Sequence, residues 1–200
     1  MGTRHLICVV KNGDYKVAQY GQWDGYPSGQ GVEVLQFLKG MNREKFLHSL
    51  ELTYQPTSDQ IAEWWADVGH NIHKGNGLVN VEISQKYKKN HPSLHRDAGS
   101  DVLHIIHDSD KPVPLNLGLE FAADSLFCEW AYVIDFDKNT FETYEGFNTT
   151  PLAKSERFYG LRGDDASGYQ PVRLKKAYRL DDLPSEDNFI SDTNPPEDED

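Results

Sequence analysis

The first twenty residues carry the pattern that most constrains the fold. Residues 5–10 are apolar and rich in β-branched side chains, and residues 15–20 alternate between apolar and polar ones. Asn12-Gly13-Asp14 separates the two segments. Turn-forming residues between two such segments predict a β-hairpin. Because a hairpin of this kind must bury one face, other parts of the chain have to pack against it.

After the hairpin, the apolar residues recur at intervals that are typical of α-helices. The apolar residues predict one helix after Gly31 and a second helix after the break at Gly40. Thr57 lies three residues before Gln60, which is the register of a capping box. This pair therefore predicts the start of a third helix.

The rest of the chain adds two more helical segments and then changes to β patterns. Residues 79–90 fit either a strand or a helix, and a helix is favoured. Another helix is expected over 98–107, with Asp97 as its start signal. Strand patterns follow at 126–136, 140–144 and 172–180. The order indicates an α+β fold, with a mostly antiparallel sheet opened by the N-terminal hairpin and packed by four or five helices.

The acidic residues are concentrated in the last twenty residues of the sequence, which we call the tail. Residues 181–200 contain nine acidic residues and no Lys or Arg, so they carry −9 of the formal net charge of −12. Residues 1–180 carry the remaining −3 and are expected to form a single globular domain. The tail has too few apolar residues to offset its ordering entropy and is expected to be disordered. It would either aid solubility or shield the basic strand just before it.

Composition also limits the partners and the compartment. A near-neutral body without a basic face gives no support to nucleic-acid binding. The longest apolar stretch near the start, residues 6–10, is too short for a signal peptide or a membrane span. Cys8 and Cys128 both lie within apolar runs, so a disulfide framework is not expected. These features predict a cytoplasmic protein that binds neither nucleic acid nor a membrane.

The segment 21–31 is the richest in information, with four glycines and a proline in eleven residues. Ser28 is predicted to cap the next helix, which would leave the N–H groups of Gly29, Gln30 and Gly31 free to face an anion or a developing oxyanion. Its polar and aromatic side chains have the mixture expected at the lip of a small-molecule pocket. These side chains are Gln22, Trp23, Asp24, Tyr26 and Gln30. The alternative is a turn that is rich in glycine for steric reasons alone.

Two resemblances involve the N-terminal region. The opening Gly2-Thr3-Arg4 with Leu6, together with the loop Gln22-Trp23-Asp24-Gly25-Tyr26-Pro27-x-Gly29-x-Gly31, resembles a widespread group of uncharacterised microbial and fungal proteins. That group begins G-T-R and carries an aromatic-D-G-Y-P-x-G-x-G loop. The resemblance covers about the first thirty residues and implies no activity.

The second resemblance concerns architecture. An N-terminal hairpin followed by helices and a later antiparallel hairpin is similar to the N-terminal-nucleophile hydrolases. In that chemistry the nucleophile lies at the start of the first strand and the free α-amine acts as its base. The resemblance implies Thr3 as the nucleophile. Gly2 would nevertheless keep the nitrogen of Thr3 acylated unless the chain were processed further.

Other residues are candidates for proton transfer or metal binding. Asp24 and His95 are candidate acid–base groups, and His95 would form a pair with Asp97 if both faced the loop. Arg4 would orient a substrate, or form an ion pair with Asp24. Pairs of histidines three residues apart occur at His70/His73 and His104/His107. No H-E-x-x-H motif is present, so solvated or capping histidines are favoured over metal ligands.

The loop also lacks the lysine of a P-loop and does not match a dinucleotide fingerprint, so no cofactor is expected. The sequence therefore predicts a small-molecule pocket at residues 21–31. If the protein is an enzyme, the expected activity is that of a hydrolase or a related acyl-type enzyme, with Thr3, Asp24 and His95 as catalytic residues. A non-catalytic module that binds a ligand or a protein is the alternative.

Overall fold

A computed structural model describes residues 2–71, 79–163 and 167–193. The predicted hairpin is confirmed as β1 (His5–Lys11) and β2 (Asp14–Gly21), joined at Asn12 and Gly13, whose φ angles are 57° and 79°. These positive φ values explain why Asn and Gly occupy the turn. The sheet is completed by β3 (Trp130–Asp135), β4 (Thr140–Glu145) and β5 (Arg173–Arg179).

The five strands form one sheet in the order β2-β1-β3-β4-β5. Every neighbouring pair is antiparallel except β1 and β3, which run parallel. The prediction of an α+β fold with a mostly antiparallel sheet is confirmed. Strand β3 begins later than expected, because the amides of Phe127 and Cys128 bond to the carbonyl of Asp124 in a turn instead.

Six α-helices occur in the described ranges, one more than the upper expectation. They are α1 (Val32–Gly40), α2 (Arg43–Leu50), α3 (Ser58–Asp67), α4 (Val81–Asn90), α5 (Asp101–Asp108) and α6 (Glu186–Thr193). The capping box of Thr57 and Gln60 is present at the start of α3. The helix favoured for residues 79–90 is confirmed as α4.

The start of α5 differs from the prediction. Ser100, and not Asp97, precedes the first turn of the helix. Residues 98–101 form tight turns before the helix, with the amide of Ala98 bonded to the carbonyl of His95 and that of Asp101 to Ala98. The carboxylate of Asp97 is consequently placed too early to cap α5.

Apolar layers cover both faces of the sheet. One face of β1 and β3, with Ile7 and Ile134, packs against α1, α2, α5 and α6. The opposite face, with Leu6 and Val133, packs against residues of the 119–123 turn and of the 152–172 segment. Strands β1 and β3 are therefore covered on both faces, and His5, the first residue of β1, lies at the candidate site described below.

The region after Asp181 differs from the expected disordered tail. Residues 186–193 form α6, and Phe189 is fully buried against Phe141, with 5.6 Å between the ring centroids. Asp192 forms an ion pair with Lys176, with 2.9 Å between Oδ2 and Nζ. Burial of one phenylalanine contributes roughly 2 kcal/mol, which helps to order a short segment of low average hydrophobicity. The remainder of the predicted tail, residues 194–200, lies outside the described residues.

Candidate functional site

Backbone amides of the 21–31 loop form hydrogen bonds with carbonyl groups of the same loop. The amides of Gly29 and Gly31 donate to the carbonyl of Tyr26 at 3.0 and 3.3 Å, and that of Gln30 donates to the carbonyl of Asp24 at 2.9 Å. Ser28 makes no capping hydrogen bond. The predictions of a Ser28 cap and of free amides are both wrong, because the chain coils into a tight turn over Pro27–Gly31 whose own carbonyls accept these bonds. These amides are therefore not available to an oxyanion.

The loop is fixed against the segment 95–100. The carboxamide oxygen of Gln30 accepts from the amide of Ser100 at 2.6 Å, and the indole N–H of Trp23 donates to Asp97 Oδ1 at 3.2 Å. The backbone amide of Gln22 bonds to the carbonyl of Arg96 at 3.3 Å. These bonds join two segments that lie about seventy residues apart in the sequence.

A cavity of about 130 Å³ lies at this junction, and we call it the polar cavity. Its lining residues are His5, Gln22, Trp23, Asp24, Gln30, Arg96, Asp97 and Gly99. Four of the side chains predicted at a pocket lip therefore do line one. Tyr26, Ser28, Gly29 and Gly31 are not among its lining residues, and Tyr26 is half-exposed.

His5 is buried at the polar cavity. Its side chain is 1% exposed, and neither ring nitrogen makes a hydrogen bond of good geometry. Burial lowers the pKa of His5 to about 4, although the backbone of Thr3 and the side chain of Gln30 lie close enough to oppose the shift. The imidazole is neutral at pH 7. Sequence reasoning missed His5, because it opens an apolar strand and has no neighbouring motif.

The remaining residues predicted from the N-terminal region lie elsewhere. Thr3 is buried, its carbonyl accepts from the amide of Gly25, and it lines none of the cavities described here. The guanidinium of Arg4 lies over the ring of Phe127 at 4.8 Å, and no ion pair joins it to Asp24 in the described part of the chain. The structure thus separates Thr3 and Arg4 from the polar cavity that Asp24 lines.

A larger cavity of about 510 Å³ lies between α3, α4 and residues 94–97, and we call it the aromatic cavity. Its lining residues are Trp65, Val79, Ser84, Tyr87, Leu94, His95, Arg96 and Asp97. Trp65 stacks on Tyr87 with 3.8 Å between centroids, while the adjacent Trp64 stacks on His91 at 4.4 Å. Only Trp65 of this tryptophan pair reaches the cavity.

His95 makes two contacts in the aromatic cavity. Its Nε2 lies 3.3 Å from the hydroxyl of Ser84, and its Nδ1 accepts the amide N–H of Asp97 at 3.2 Å. The carboxylate of Asp97 lies 3.4 Å from the same Nδ1. Burial lowers the pKa of His95, and Asp97 partly opposes the shift. Because Nδ1 accepts the amide, the ring proton of the neutral imidazole is on Nε2 and points to Ser84.

His95 and Asp97 thus form the pair that the sequence suggested, and Asp97 reaches the loop through Trp23. Ser84 was missed, because one serine on a polar helix face carries no local signal. Its partner lies eleven residues away on a different element.

The other histidines make structural contacts. His104 and His107 both pack on Phe37, and Nε2 of His107 accepts the amide of Asn42 at 3.2 Å. His73 lies outside the described residues. Within residues 2–71, 79–163 and 167–193, no group of three or more His, Cys, Asp or Glu side chains is arranged to hold a metal ion.

The helices of the described ranges are all too short or too polar to cross a lipid bilayer. Comparison with known proteins adds no further constraint on this site. No protein-family model, no curated protein and no solved structure is significantly similar to this chain.

Proposed function

We propose that the protein binds a small organic molecule in the aromatic cavity. The observation that carries the proposal is the composition of the 510 Å³ cavity, in which an apolar wall faces three polar side chains of one short segment. Small-molecule sites typically have 300–1,000 Å³ and combine an apolar lining with a few orienting polar groups. The cavity has both properties.

The polar side of the cavity favours a ligand with an anionic end. Arg96 lines the cavity, and Lys88 lies 3.9 Å from Asp97, so two cations accompany one carboxylate. The hydroxyl of Ser84, which accepts the Nε2–H of His95, can donate its own proton to a ligand. Trp65, Tyr87 and Leu94 supply the apolar contact. A small molecule with a flat apolar ring and a carboxylate group would match these apolar and cationic side chains.

The test is a titration with benzoate, with benzamide as the uncharged control, followed by the fluorescence of the tryptophans. We expect saturable binding of benzoate that is weakened by Arg96→Gln. The exposed Arg162→Gln is the matched control and should leave the affinity unchanged. Absence of saturable benzoate binding, or equal weakening in both variants, would contradict the proposal.

Hydrolysis is a second candidate, favoured by the 3.3 Å contact between Ser84 and His95. In that reaction Ser84 Oγ would attack an ester carbonyl, and His95 would take the hydroxyl proton and pass it to the leaving alcohol. Water would then release the acid from the acyl-serine. His95 would need its proton on Nδ1, with the Asp97 carboxylate replacing the Asp97 amide as the partner of that nitrogen.

A fluorophosphonate reagent and intact-mass analysis test this second candidate. A covalent adduct mapped to Ser84 and absent in Ser84→Ala and His95→Gln would support it. Lack of an adduct on the folded protein would refute it, and the binding proposal would be unaffected.

A further inference from the structure

We propose that the aromatic cavity takes up a proton together with its anionic ligand, and that this proton is held on the ring of His95. The inference rests on the proposed function and specifies how the same site responds to pH. Binding of a small carboxylate should therefore become tighter as the pH falls below neutrality. The groups around the two ring nitrogens of His95 support this coupling.

Each ring nitrogen of His95 has a partner in either protonation state. In the neutral ring, Nε2–H points to the hydroxyl of Ser84 at 3.3 Å, and Nδ1 accepts the amide N–H of Asp97 at 3.2 Å. The carboxylate oxygen Oδ2 of the same Asp97 lies 3.4 Å from Nδ1. A proton added to Nδ1 therefore has an acceptor close by, and the exposed amide of Asp97 can bond to water instead.

The charged groups around His95 come from its own segment and from α4. Burial lowers the pKa of His95, Asp97 raises it, and the cations Lys88 and Arg96 lower it. The pKa as a whole lies below its usual value, so the ring without a ligand is neutral at pH 7. The side chain is nevertheless 13% exposed and lines the cavity, so a ligand can reach its surroundings.

The rest of the cavity wall adds no charge near neutral pH. Helix α3 presents Trp65, and α4 presents Ser84 and Tyr87. Burial raises the pKa of Tyr87, so its phenol stays protonated. Among the described residues of the lining, His95 is therefore the one that titrates between about pH 8 and 5.5.

A bound carboxylate would lie close to the His95 ring. The hydroxyl of Ser84 is the donor beside the ring, and its hydrogen bond to a carboxylate oxygen would be about 2.7 Å long. Since Ser84 Oγ lies 3.3 Å from Nε2, the ligand oxygen would be within about 6 Å of the ring. An anion at this distance favours the protonated imidazole. By reciprocity, the protonated imidazole binds the anion more tightly.

The test is a calorimetric titration of the full chain with benzoate at several pH values between about 8 and 5.5, where benzoate stays ionised. We expect the affinity to be roughly fivefold higher at pH 5.5 than at pH 8. Titrations in two buffers with different ionisation enthalpies should show proton uptake at about pH 6. The NMR titration midpoint of the His95 ring should move to higher pH with benzoate but not with uncharged benzamide.

His95→Gln keeps a side-chain N–H donor but cannot be protonated, so its benzoate affinity should not depend on pH in this range. His91→Gln is the matched control. His91 is also a histidine whose pKa is lowered by burial, but it stacks on Trp64 and does not line the cavity. The control should keep the wild-type pH dependence. The proton-uptake and NMR measurements use the wild-type protein and do not require either variant to fold.

Three outcomes would overturn the inference. These are equal benzoate affinities at pH 8 and 5.5, a His95 midpoint that benzoate does not move, and a pH dependence that is lost in His91→Gln but kept in His95→Gln. In all three cases benzoate still binds, so the proposed function stands. Absence of saturable benzoate binding at every pH would instead refute the proposed function and this inference with it.

Discussion

Removal of the Arg157 guanidinium should destabilise the protein far more than removal of a surface charge. Nη2 of Arg157 lies 2.5 Å from Asp135, and its Nε lies 2.7 Å from Glu142. Nη2 also donates to the second oxygen of Glu142 at 2.9 Å, so the pair is bidentate. The three side chains are between 3% and 8% exposed. Arg157→Met would leave two buried carboxylates without a counter-charge.

The expected loss is about 3–5 kcal/mol in the free energy of unfolding at pH 7, the cost of breaking a buried ion pair. An exposed pair would cost about 1 kcal/mol or less. Urea unfolding followed by circular dichroism measures the difference. Lys175→Met, which breaks the exposed pair with Glu145, is the matched control. A variant that carries Arg157→Met, Asp135→Asn and Glu142→Gln together should recover much of the loss, because no buried charge remains.

The pH dependence gives a second readout. Burial acts to raise the pKa of Glu142, but hydrogen bonds from Arg157 and Tyr144 outweigh it and hold the pKa below its usual value. The folded state therefore binds fewer protons at Glu142 than the unfolded state, and this stabilisation is lost as pH falls below about 4.5. In Arg157→Met the Glu142 carboxyl loses the bonds from Arg157 and is protonated more easily, so the stability deficit of the variant should shrink between pH 7 and 5. A deficit under about 1 kcal/mol that does not change with pH would refute the reasoning.

Four further changes test other parts of the fold and the site. Phe189→Ala should cost roughly 3–5 kcal/mol in urea unfolding, since it empties a fully buried position, whereas the half-buried Ile190→Ala should cost less; equal losses would contradict the docking of α6. Thr57→Ala should cost about 1 kcal/mol and increase hydrogen exchange in α3 first; unchanged exchange would contradict the capping role. Wild-type His5 is protonated below pH 6.5 in the unfolded state but stays neutral in the folded state until about pH 4, so the protein loses stability as the pH falls through this range. His5→Leu should reduce that loss by roughly 3 kcal/mol. Parallel curves of stability against pH for the two proteins would refute this. Arg96→Gln should weaken benzoate binding, because it removes a cation from the lining of the aromatic cavity; an unchanged affinity would refute the charge assignment.

Local signals in the sequence predict the local elements well. The Asn12-Gly13 turn has the positive φ angles that its composition indicates, and the Thr57 capping box forms as expected. The parallel pairing of β1 with β3 was not predictable in this way. This pairing joins His5 to Trp130 and Val10 to Asp135. No turn residue and no local spacing in the sequence indicates contacts between positions so far apart along the chain. Average composition also failed at the C-terminus, because it does not record that Phe189 is buried against Phe141 and that Asp192 pairs with Lys176.

The candidate site was predictable only in part, because it also depends on contacts between residues that are distant in the sequence. Glycine density identified the 21–31 loop, and four of its polar or aromatic side chains line the polar cavity. The direction of its amides depends on how the loop coils, which a list of glycines does not specify. The burial of His5 at the polar cavity and the 3.3 Å distance from Ser84 to His95 leave no local signal in the sequence. Both are properties of the packed structure.

The two cavities differ in how firmly their walls are held. The polar cavity is lined by His5 of the central strand β1, and its walls are joined by the hydrogen bond that Gln30 accepts from Ser100 and the one that Trp23 donates to Asp97. The aromatic cavity is bounded on one side by α3, which has no fully buried residue and is joined to α4 through the Trp65–Tyr87 stack. Elements with little buried area open at a lower free energy than core strands. The walls of the polar cavity are therefore the more firmly held, whereas a movement of α3 relative to residues 95–97 would change the shape of the aromatic cavity.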